Sequence, residues 1–195
     1  MKLLLTLITL KIMILINNVE SETKAIYFGG GCFWCVEAVF EGVVGVEDVV
    51  SGYSGGDFKN PSYNQVTSGI TQHAEVCKII YNSKKIKLED LLEIFFLTHD
   101  PTTLNRQGND IGHHYRSIIF FNNDEEKKII KQFIVELNKN IFEDNIVTEV
   151  KPFKIFYEAE DYHQGYYRLN IKQPYCNTVI TPKVIKARNK LKKYF

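Results

Sequence analysis

The sequence lacks an excess of charge of either sign, since 24 lysines and arginines are matched by 23 aspartates and glutamates, for a formal net charge of +1. A nucleic-acid-binding domain ordinarily carries a clear basic excess, so we expect no nucleic acid partner. Internal repeats and low-complexity tracts are also absent. The 195 residues, 45% hydrophobic and 24% charged, are typical of one globular domain with a hydrophobic core and exclude a disordered or fibrous chain.

A long apolar segment is missing as well. The apolar run within residues 3–16 is interrupted by Lys11. It is shorter than the roughly 20 residues that a membrane-spanning helix needs, so we expect no stable membrane span. A basic start, this apolar run and the polar pair Asn17-Asn18 instead predict a signal peptide over residues 1–21. We therefore expect a single domain over residues 22–195, exported to the periplasm or the exterior; without a functional signal it would be cytoplasmic.

Cysteines are few: Cys32, Cys35, Cys77 and Cys176 are the only four, and full oxidation would allow three pairings. The histidines and cysteines match no zinc-binding spacing, so we expect no metal site. Cys77 alternates with apolar neighbours and is interpreted as a buried core thiol. The C-x-x-C spacing of Cys32 and Cys35 is more often redox or catalytic than structural.

The stretch Gly29-Gly30-Gly31-Cys32-Phe33-Trp34-Cys35 organises the rest of the chain. Residues 25–28 form a predicted buried strand, the glycines interrupt it, and apolar residues at helical spacing follow. Cys32 therefore falls at the first turn of a helix, where unpaired N–H groups and the helix dipole favour a thiolate. We expect a lowered pKa and a good nucleophile at Cys32, beside an apolar wall made by Phe33 and Trp34.

Hydrophobic periodicity predicts four strands and three helices in the first three quarters of the chain. The strands are residues 25–28, 47–53, 74–81 and 115–121, and the helices are residues 33–41, 88–97 and 124–142. The order strand, helix, strand, strand, helix, strand indicates an α+β fold with a ferredoxin-like split β-α-β core. An additional strand within residues 148–157, a loop at 173–176 and a helix at 181–195 are predicted to follow. Residues 102–114 are predicted to be a polar loop.

In this topology the ends of the first two strands and the starts of the next two meet at one edge of the sheet. We therefore expect Cys32, Tyr63, Glu75 and the segment from Asp110 to Tyr115 to lie together. The apolar neighbours of Glu75 on its strand face are expected to raise its pKa, so that the carboxyl keeps a proton to donate. A nucleophilic thiol, a proton donor and an aromatic wall fit the reduction of a sulfoxide. The thiol then becomes a sulfenic acid, with which a second thiol condenses to a disulfide.

These residues closely resemble a known family. The segment Gly31-Cys32-Phe33-Trp34 is similar to the signature of the A-type peptide methionine sulfoxide reductases, and the resemblance covers nearly all of residues 25–182. The other matching motifs are Ser51-Gly52-Tyr53-Ser54-Gly55-Gly56, Asn60-Pro61-Ser62-Tyr63, His73-Ala74-Glu75-Val76, Asp110-Ile111-Gly112, Tyr115-Arg116-Ser117 and Glu158-Ala159-Glu160-Asp161-Tyr162-His163-Gln164. Motifs of this length in this order are highly specific.

The resemblance implies a role for each residue of the predicted site. Cys32 would be the nucleophile and Glu75 the acid that protonates the sulfoxide oxygen. Tyr63 and Tyr115 would bind that oxygen, Asp110 would support the site, and Phe33 and Trp34 would cage the substrate methyl group. The family also implies the S epimer of methionine sulfoxide, free or in proteins, as substrate. Its usual reductant is thioredoxin or a similar dithiol, and we expect no cofactor and a monomeric enzyme.

Two thiols are candidates to resolve the sulfenic acid. The residue after Trp34 is more often Gly in this family, whereas here it is Cys35, about one helical turn from Cys32. Cys176 lies in the predicted loop at 173–176, which resembles the C-terminal segment that carries a recycling cysteine in many members. Because a loop can move to Cys32, we favour Cys176 as the resolving cysteine. Cys35 would exchange with that disulfide, or react first and hand it on.

Three other functions are considered from the residues alone. A thioredoxin-like dithiol oxidoreductase would use the same C-x-x-C, although the predicted element order argues against it. A Cys-His hydrolase would take His113 or His114 as its base, and a secreted binding domain would use no catalytic residue at all. His163 is interpreted as fixing a local turn.

Overall fold

The computed structural model describes residues 22–195, so the signal peptide predicted over residues 1–21 lies outside the described residues. The strands are β1 (Thr23–Gly29), β2 (Val46–Ser54), β3 (Ala74–Asn82), β4 (Arg106–Gln107), β5 (Asp110–Ile111), β6 (Ile118–Phe121), β7 (Glu149–Pro152) and β8 (Phe156–Glu158). The α-helices are α1 (Phe33–Phe40), α2 (Tyr63–Thr67), α3 (Leu88–Thr98), α4 (Asp124–Leu137), α5 (Tyr166–Leu169) and α6 (Thr181–Lys190). Short 3₁₀ turns occupy His113–Tyr115, Asp161–His163 and Lys192–Tyr194, and π-helical turns occupy Asn138–Phe142 and Cys176–Ile180. Within residues 22–195, no helix is long and apolar enough to cross a membrane.

The fold is α+β, as predicted, and is built on one six-stranded mixed sheet with the strand order β7-β6-β1-β3-β2-β8. β6 and β7 are parallel, and the other neighbouring pairs in this sheet are antiparallel. At the end of β1, Gly29 is opposite Ile118 at the start of β6. At the end of β2, Ser54 is opposite Ala74 at the start of β3. These four strand ends meet at one edge of the sheet, where the sequence predicts the functional residues.

Alternation along the strands separates two apolar clusters on the two faces of the sheet. Phe28 of β1 and Cys77 of β3 belong to the larger cluster, which also contains the apolar residues of α1, α3 and α6. Tyr27 and Val76 belong to the smaller cluster on the opposite face. Glu75 lies two residues before Cys77, and its side chain therefore points to the face that α1 covers.

The prediction of one additional C-terminal strand within residues 148–157 is wrong in number. The structure has two strands there, and they lie at opposite edges of the sheet: β7 beside β6, and β8 beside β2. Pro152 ends β7, because proline has no N–H to continue the hydrogen-bond ladder. After Pro152 the chain crosses to the opposite edge of the sheet. Hydrophobic periodicity does not predict this crossing.

Three other predicted segments differ from the structure. The fourth predicted strand begins at Ile118 rather than Tyr115, because the backbone N–H of Tyr115 bonds to Gly112 in a 3₁₀ turn and is not available to a strand. The predicted polar loop at 102–114 contains the short hairpin β4-β5. The predicted helix at 124–142 is α-helical only to Leu137 and ends in a π-helical turn.

The loop predicted at residues 173–176 is helical instead. Pro174 and Tyr175 already have helical backbone, and the π-helical turn from Cys176 leads directly into α6. Proline suits the first turn of a helix because the missing N–H would be unpaired there and its φ is already helical. Pro182, predicted to open the last helix, lies inside this longer segment, just after the π-helical turn that accommodates its missing N–H. Cys176 therefore lies on a helix and not on a mobile loop.

Candidate active site

Cys32 occupies the N-cap of α1, directly after the three glycines. Gly31 has φ of +91°, a left-handed value that favours glycine, and a Cβ there would come within 2.6 Å of the Gln107 side chain. A Cβ at Gly29 would lie 2.9 Å from the backbone oxygen of Glu75. The glycines therefore allow the chain to turn tightly against the strand that carries Glu75. This turn buries Cys32 to 6% exposure at the helix start.

The thiols of Cys32 and Cys35 are hydrogen-bonded to each other. The lowered pKa predicted for Cys32 is wrong, because burial raises the pKa of this thiol well above its ordinary value, and the hydrogen bond with Cys35 and the charge of Glu75 raise it further. Desolvation of the sulfur outweighs the effect of the helix start. The hydrogen bond with Cys32, supported by the ammonium of Lys183, lowers the pKa of Cys35 to about 7 although burial opposes it. The first negative charge of the pair therefore rests on Cys35.

Glu75 brings a carboxyl group to the first turn of α1. Its Oε2 accepts a hydrogen bond from the backbone N–H of Phe33 at 3.0 Å, and the residue is 1% exposed. Burial raises the pKa of Glu75 to about 8, although the hydrogen bond from Phe33 partly offsets this. The raised pKa predicted from the apolar strand face is confirmed. At pH 7 most of the carboxyl groups carry a proton.

Two phenol groups lie beside the acid and the thiol. Burial raises the pKa of Tyr63 to about 12, and the negative charges of Glu75 and Cys32 contribute. Burial also raises the pKa of Tyr115, and the same two charges add to the effect. The backbone N–H of Tyr63 donates to Glu160 at 2.9 Å, which fixes the start of α2. Both phenols therefore remain protonated and can donate hydrogen bonds.

Asp110 joins the site through a residue that the sequence analysis missed. The hydroxyl group of Tyr175 donates to Asp110 Oδ2 at 2.8 Å and lies 4.0 Å from the sulfur of Cys35. Tyr175 immediately precedes Cys176 in the segment that resembles the family's recycling segment, and this position was the available signal. Tyr175 therefore connects the β4-β5 hairpin to the Cys32–Cys35 pair.

Aromatic rings surround Trp34 on several sides. Tyr166 stacks on its indole with ring centroids 3.6 Å apart and planes 7° apart. The indole N–H donates to His163 Nδ1 at 3.2 Å, and the Tyr175 ring contacts Trp34 edge-on at 6.0 Å. Phe33 is 1% exposed, and its ring centroid lies 5.0 Å from that of His163. His163 does lie in a short 3₁₀ turn, but it also orients Trp34.

The other two cysteines differ in their surroundings. Cys77 is 0% exposed and donates to the backbone oxygen of Phe33 at 3.3 Å, so its interpretation as a buried core thiol is confirmed. Cys176 is also 0% exposed and is close enough to Cys35 for the charge of Cys35 to raise its pKa, after burial. The π-helical turn that begins at Cys176 packs against α1.

The structure gives Cys32 and His114, two residues that a Cys-His hydrolase would pair, different partners. The Cys32 thiol pairs with Cys35, and the ring of His114 packs against that of Tyr115 in a tilted arrangement with centroids 4.0 Å apart. Burial lowers the pKa of both His113 and His114. Among residues 22–195, no group of three or more histidine, cysteine, aspartate or glutamate side chains is placed to hold a metal ion.

A buried pair of thiols at a helix start, next to a protonated carboxyl and two phenols, defines a cysteine-based oxidoreductase. Comparison with known proteins identifies which one. The family model described as peptide methionine sulfoxide reductase matches residues 24–194. The peptide methionine sulfoxide reductase MsrA of Trichodesmium erythraeum is 54% identical over 171 residues, which cover 87% of this chain and 94% of that protein.

Solved structures agree with this assignment. Reduced Mxr1 from Saccharomyces cerevisiae superposes with a TM-score of 0.75 at 36% identity, covering 80% of this chain and 91% of that chain. The structure of Mxr1 in complex with Trx2 matches with a TM-score of 0.55 at 28% identity, covering 75% and 86% respectively. The chain belongs to the peptide methionine sulfoxide reductase family, in its MsrA branch. It is a peptide-methionine (S)-S-oxide reductase, an enzyme that reduces methionine (S)-sulfoxide and so repairs oxidised proteins.

Proposed function

We propose that Cys32 attacks the sulfoxide sulfur while Glu75 protonates the sulfoxide oxygen. One observation carries this assignment: a carboxyl group with a pKa raised to about 8 is hydrogen-bonded to the backbone N–H of the residue that follows Cys32. A general acid must hold its proton at the working pH and reach the atom that receives it. Glu75 meets the first condition through burial and the second through its place at the helix start.

The attacking thiolate forms by a proton shift within the cysteine pair. Because the pKa of Cys35 is lowered to about 7, the pair loses its first proton near neutral pH, and the charge then rests on Cys35. Transfer of the Cys32 proton to Cys35 creates the nucleophile without bringing a base from outside. Cys32 then takes the oxygen, Glu75 gives its proton to that oxygen, and the products are methionine and a Cys32 sulfenic acid.

Tyr63 and Tyr115 bind the sulfoxide oxygen in this proposal, and Phe33 and Trp34 hold the substrate methyl group. Both phenols are protonated donors beside Glu75 and Cys32. Asp110 acts through Tyr175, whose hydroxyl group it orients near Cys35. A planar indole stacked on Tyr166 offers a flat apolar surface next to the reactive sulfur.

We propose that Cys35 resolves the sulfenic acid and then passes the disulfide to Cys176. Cys35 is already in contact with Cys32, and Trp34 between them turns away toward Tyr166. The Cys35 thiol attacks the Cys32 sulfur and forms the disulfide. The hydroxyl group of the sulfenic acid leaves together with the Cys35 proton as water. Direct resolution by Cys176 would need the mobile loop that the sequence predicts, whereas Cys176 lies buried on a helix. Exchange with Cys176 would move the disulfide away from the active site.

A dithiol of the thioredoxin type is the proposed reductant. Yeast Mxr1, which is similar to this chain, has been crystallised in complex with Trx2. Two electrons from such a dithiol return one enzyme disulfide to two thiols, which closes the cycle. We also propose that the enzyme is a monomer and that β6-β1-β3-β2 with α1 and α3 form a ferredoxin-like core, which their order supports.

The test uses racemic methionine sulfoxide and a thiol reductant, with separate assay of the two epimers. Wild-type enzyme should consume only the S epimer, and Cys32→Ser should consume neither while keeping its fold. Glu75→Gln should slow the first sulfur step in single-turnover measurements at pH 7, because an amide is a poor proton source. Cys77→Ala, which removes a buried thiol outside the site, is the matched control and should stay active. Activity in Cys32→Ser above a few per cent of wild type would refute the mechanism.

A further inference from the structure

Trp34 is the only tryptophan in the chain, and two residues of one short segment position it. His163 accepts the indole N–H at 3.2 Å, and Tyr166 covers one face of the ring at 3.6 Å. Both belong to residues 160–169, which we call the aromatic strap. The orientation of Trp34 therefore depends on where the strap is held.

A buried carboxylate of α1 holds the strap at its centre. Glu37 Oε1 accepts from the backbone N–H of Gly165 at 3.0 Å, and Glu37 Oε2 accepts from that of Tyr166 at 3.2 Å. Ser51 also donates to Glu37 at 3.2 Å. Glu37 is 1% exposed and lies one helical turn after Trp34, on the same short helix. The two backbone hydrogen bonds connect Glu37 to residues that lie 128 and 129 positions later in the sequence.

The backbone at Gly165 has a conformation that suits this contact. Gly165 has φ of +59°, and an added Cβ would come within 2.5 Å of the Arg168 guanidinium. The left-handed turn presents two successive N–H groups to one carboxylate, and two donors on a buried carboxylate are a stronger anchor than a neutral pair. The mechanism proposed above uses no group on Glu37, whose carboxylate binds the backbone of the strap and the hydroxyl group of Ser51.

We propose that Glu37 is a positioning residue of this enzyme, which fixes Tyr166 against Trp34 by binding the backbone of the strap and so holds the apolar wall beside Cys32. The inference rests on the proposed function of Trp34 as the substrate wall. The positioning of Trp34 can be tested without measuring activity. The chain has a single tryptophan, and fluorescence excited at wavelengths that tyrosine does not absorb reports on Trp34 alone. Loss of the anchor should free the strap, uncover the indole and weaken substrate binding.

The experiment compares Glu37→Gln with wild type in acrylamide quenching of Trp34 fluorescence and in steady-state kinetics. We expect the quenching constant to rise roughly twofold, because the indole loses its stacked partner. KM should rise about tenfold while the single-turnover rate at saturating substrate stays near wild type, since Glu37 has no part in the proposed transfer of oxygen and protons. Tyr166→Ala should reproduce both changes, and Tyr166→Phe, which keeps the stacked ring, should keep the wild-type quenching.

Ser51→Ala is the matched control, because it removes one hydrogen bond to Glu37 and leaves both bonds to the strap. It should keep wild-type quenching and KM. If the two residues act through one contact, the double variant Glu37→Gln/Tyr166→Ala should change the quenching constant and KM no more than either single variant does. A Glu37→Gln protein that melts at a lower temperature but keeps wild-type quenching and KM would overturn the inference. Increased quenching with unchanged KM would keep the positioning of Trp34 and refute its proposed role as substrate wall.

Discussion

Among the individual residues, two carboxyl groups are each 1% exposed and have different partners. Burial raises the pKa of Glu75 to about 8 and the pKa of Glu37 to about 7. Glu37 is bound by three donors, two N–H groups and one hydroxyl group, which compensate an ionised carboxylate. Glu75 has one backbone donor and is the better candidate for a group that gives away a proton.

The stability of the protein should depend on pH through Glu75. Its pKa is about 8 in the folded protein and near the ordinary 4.5 when unfolded. The folded state binds this proton more tightly, so its contribution is fully present below pH 4.5, declines as the pH rises and is lost above pH 8. Each unit of difference is worth about 1.4 kcal/mol, so the total decline is of the order of a few kcal/mol.

Urea unfolding of wild type and Glu75→Gln between pH 4 and pH 9 measures this effect, and the difference between the two curves removes the contribution of Glu37. Relative to wild type, Glu75→Gln should gain stability progressively over this range. A difference that does not change with pH would show that Glu75 titrates normally in the folded protein.

At the level of elements, two helix starts bring three thiols together. α1 begins at the Cys32 N-cap, and the helical segment from Pro174 places Cys176 against α1. The first start follows a turn of glycines, whereas the second has proline as its own first helical residue. The disulfide should therefore pass in turn between the thiols that the packing of these two helices brings together.

We expect the first disulfide to be Cys32–Cys35 and the second to be Cys35–Cys176. One turnover with sulfoxide, followed by rapid trapping of free thiols and peptide mapping, distinguishes them in time. Cys176→Ser should still form the Cys32–Cys35 bond but should be reduced more slowly by thioredoxin. Cys35→Ser should accumulate the sulfenic acid, detectable with a sulfenic-acid probe. If a Cys32–Cys176 bond is the earliest product, resolution by Cys35 is wrong.

At the level of the whole molecule, the distribution of methionine bears on the enzyme's own oxidation. The only two methionines, Met1 and Met13, lie within residues 1–21, and residues 22–195 contain none. The catalytic domain therefore offers no substrate to itself, and peroxide can act reversibly at cysteine sulfur.

After mild peroxide treatment, a dithiol should restore both the full activity and the original mass of residues 22–195. The matched control is Val135→Met on α4, at a position that is 65% exposed in the wild-type protein. Peroxide makes both epimers of the added Met sulfoxide. With dithiol present, active molecules of this variant should therefore reduce the S epimer on one another, and the R epimer should keep its added oxygen. A stable added oxygen on the wild-type domain after dithiol treatment would contradict the prediction.

The N-terminal segment carries a second prediction at this level. We propose that residues 1–21 are a signal peptide removed on export, on the basis of the basic start, apolar run and polar exit. Mass spectrometry of protein from the periplasmic or secreted fraction of the native cell should find an N-terminus near residue 22. A full-length chain recovered from the cytoplasm would exclude export.

Local patterns in the sequence were sufficient for much of the fold and for the composition of the site. Periodicity and glycine punctuation located β1, α1, β2, β3 and α3, and the motif around Cys32 identified the family. These features are local because a helix or strand face is set by residues a few positions apart. The alternation along β3 was also enough to put Glu75 on the face that α1 covers.

Tertiary structure alone decided the features that depend on burial and on distant partners. The pKa of Cys32 rises rather than falls because the sulfur is desolvated, and desolvation is a property of the packed domain. Tyr175 reaches Asp110 across 65 positions, and Glu37 reaches Gly165 across 128. The sequence determined which chemical groups are present and their local backbone, whereas only packing determined which groups touch and which keep their protons.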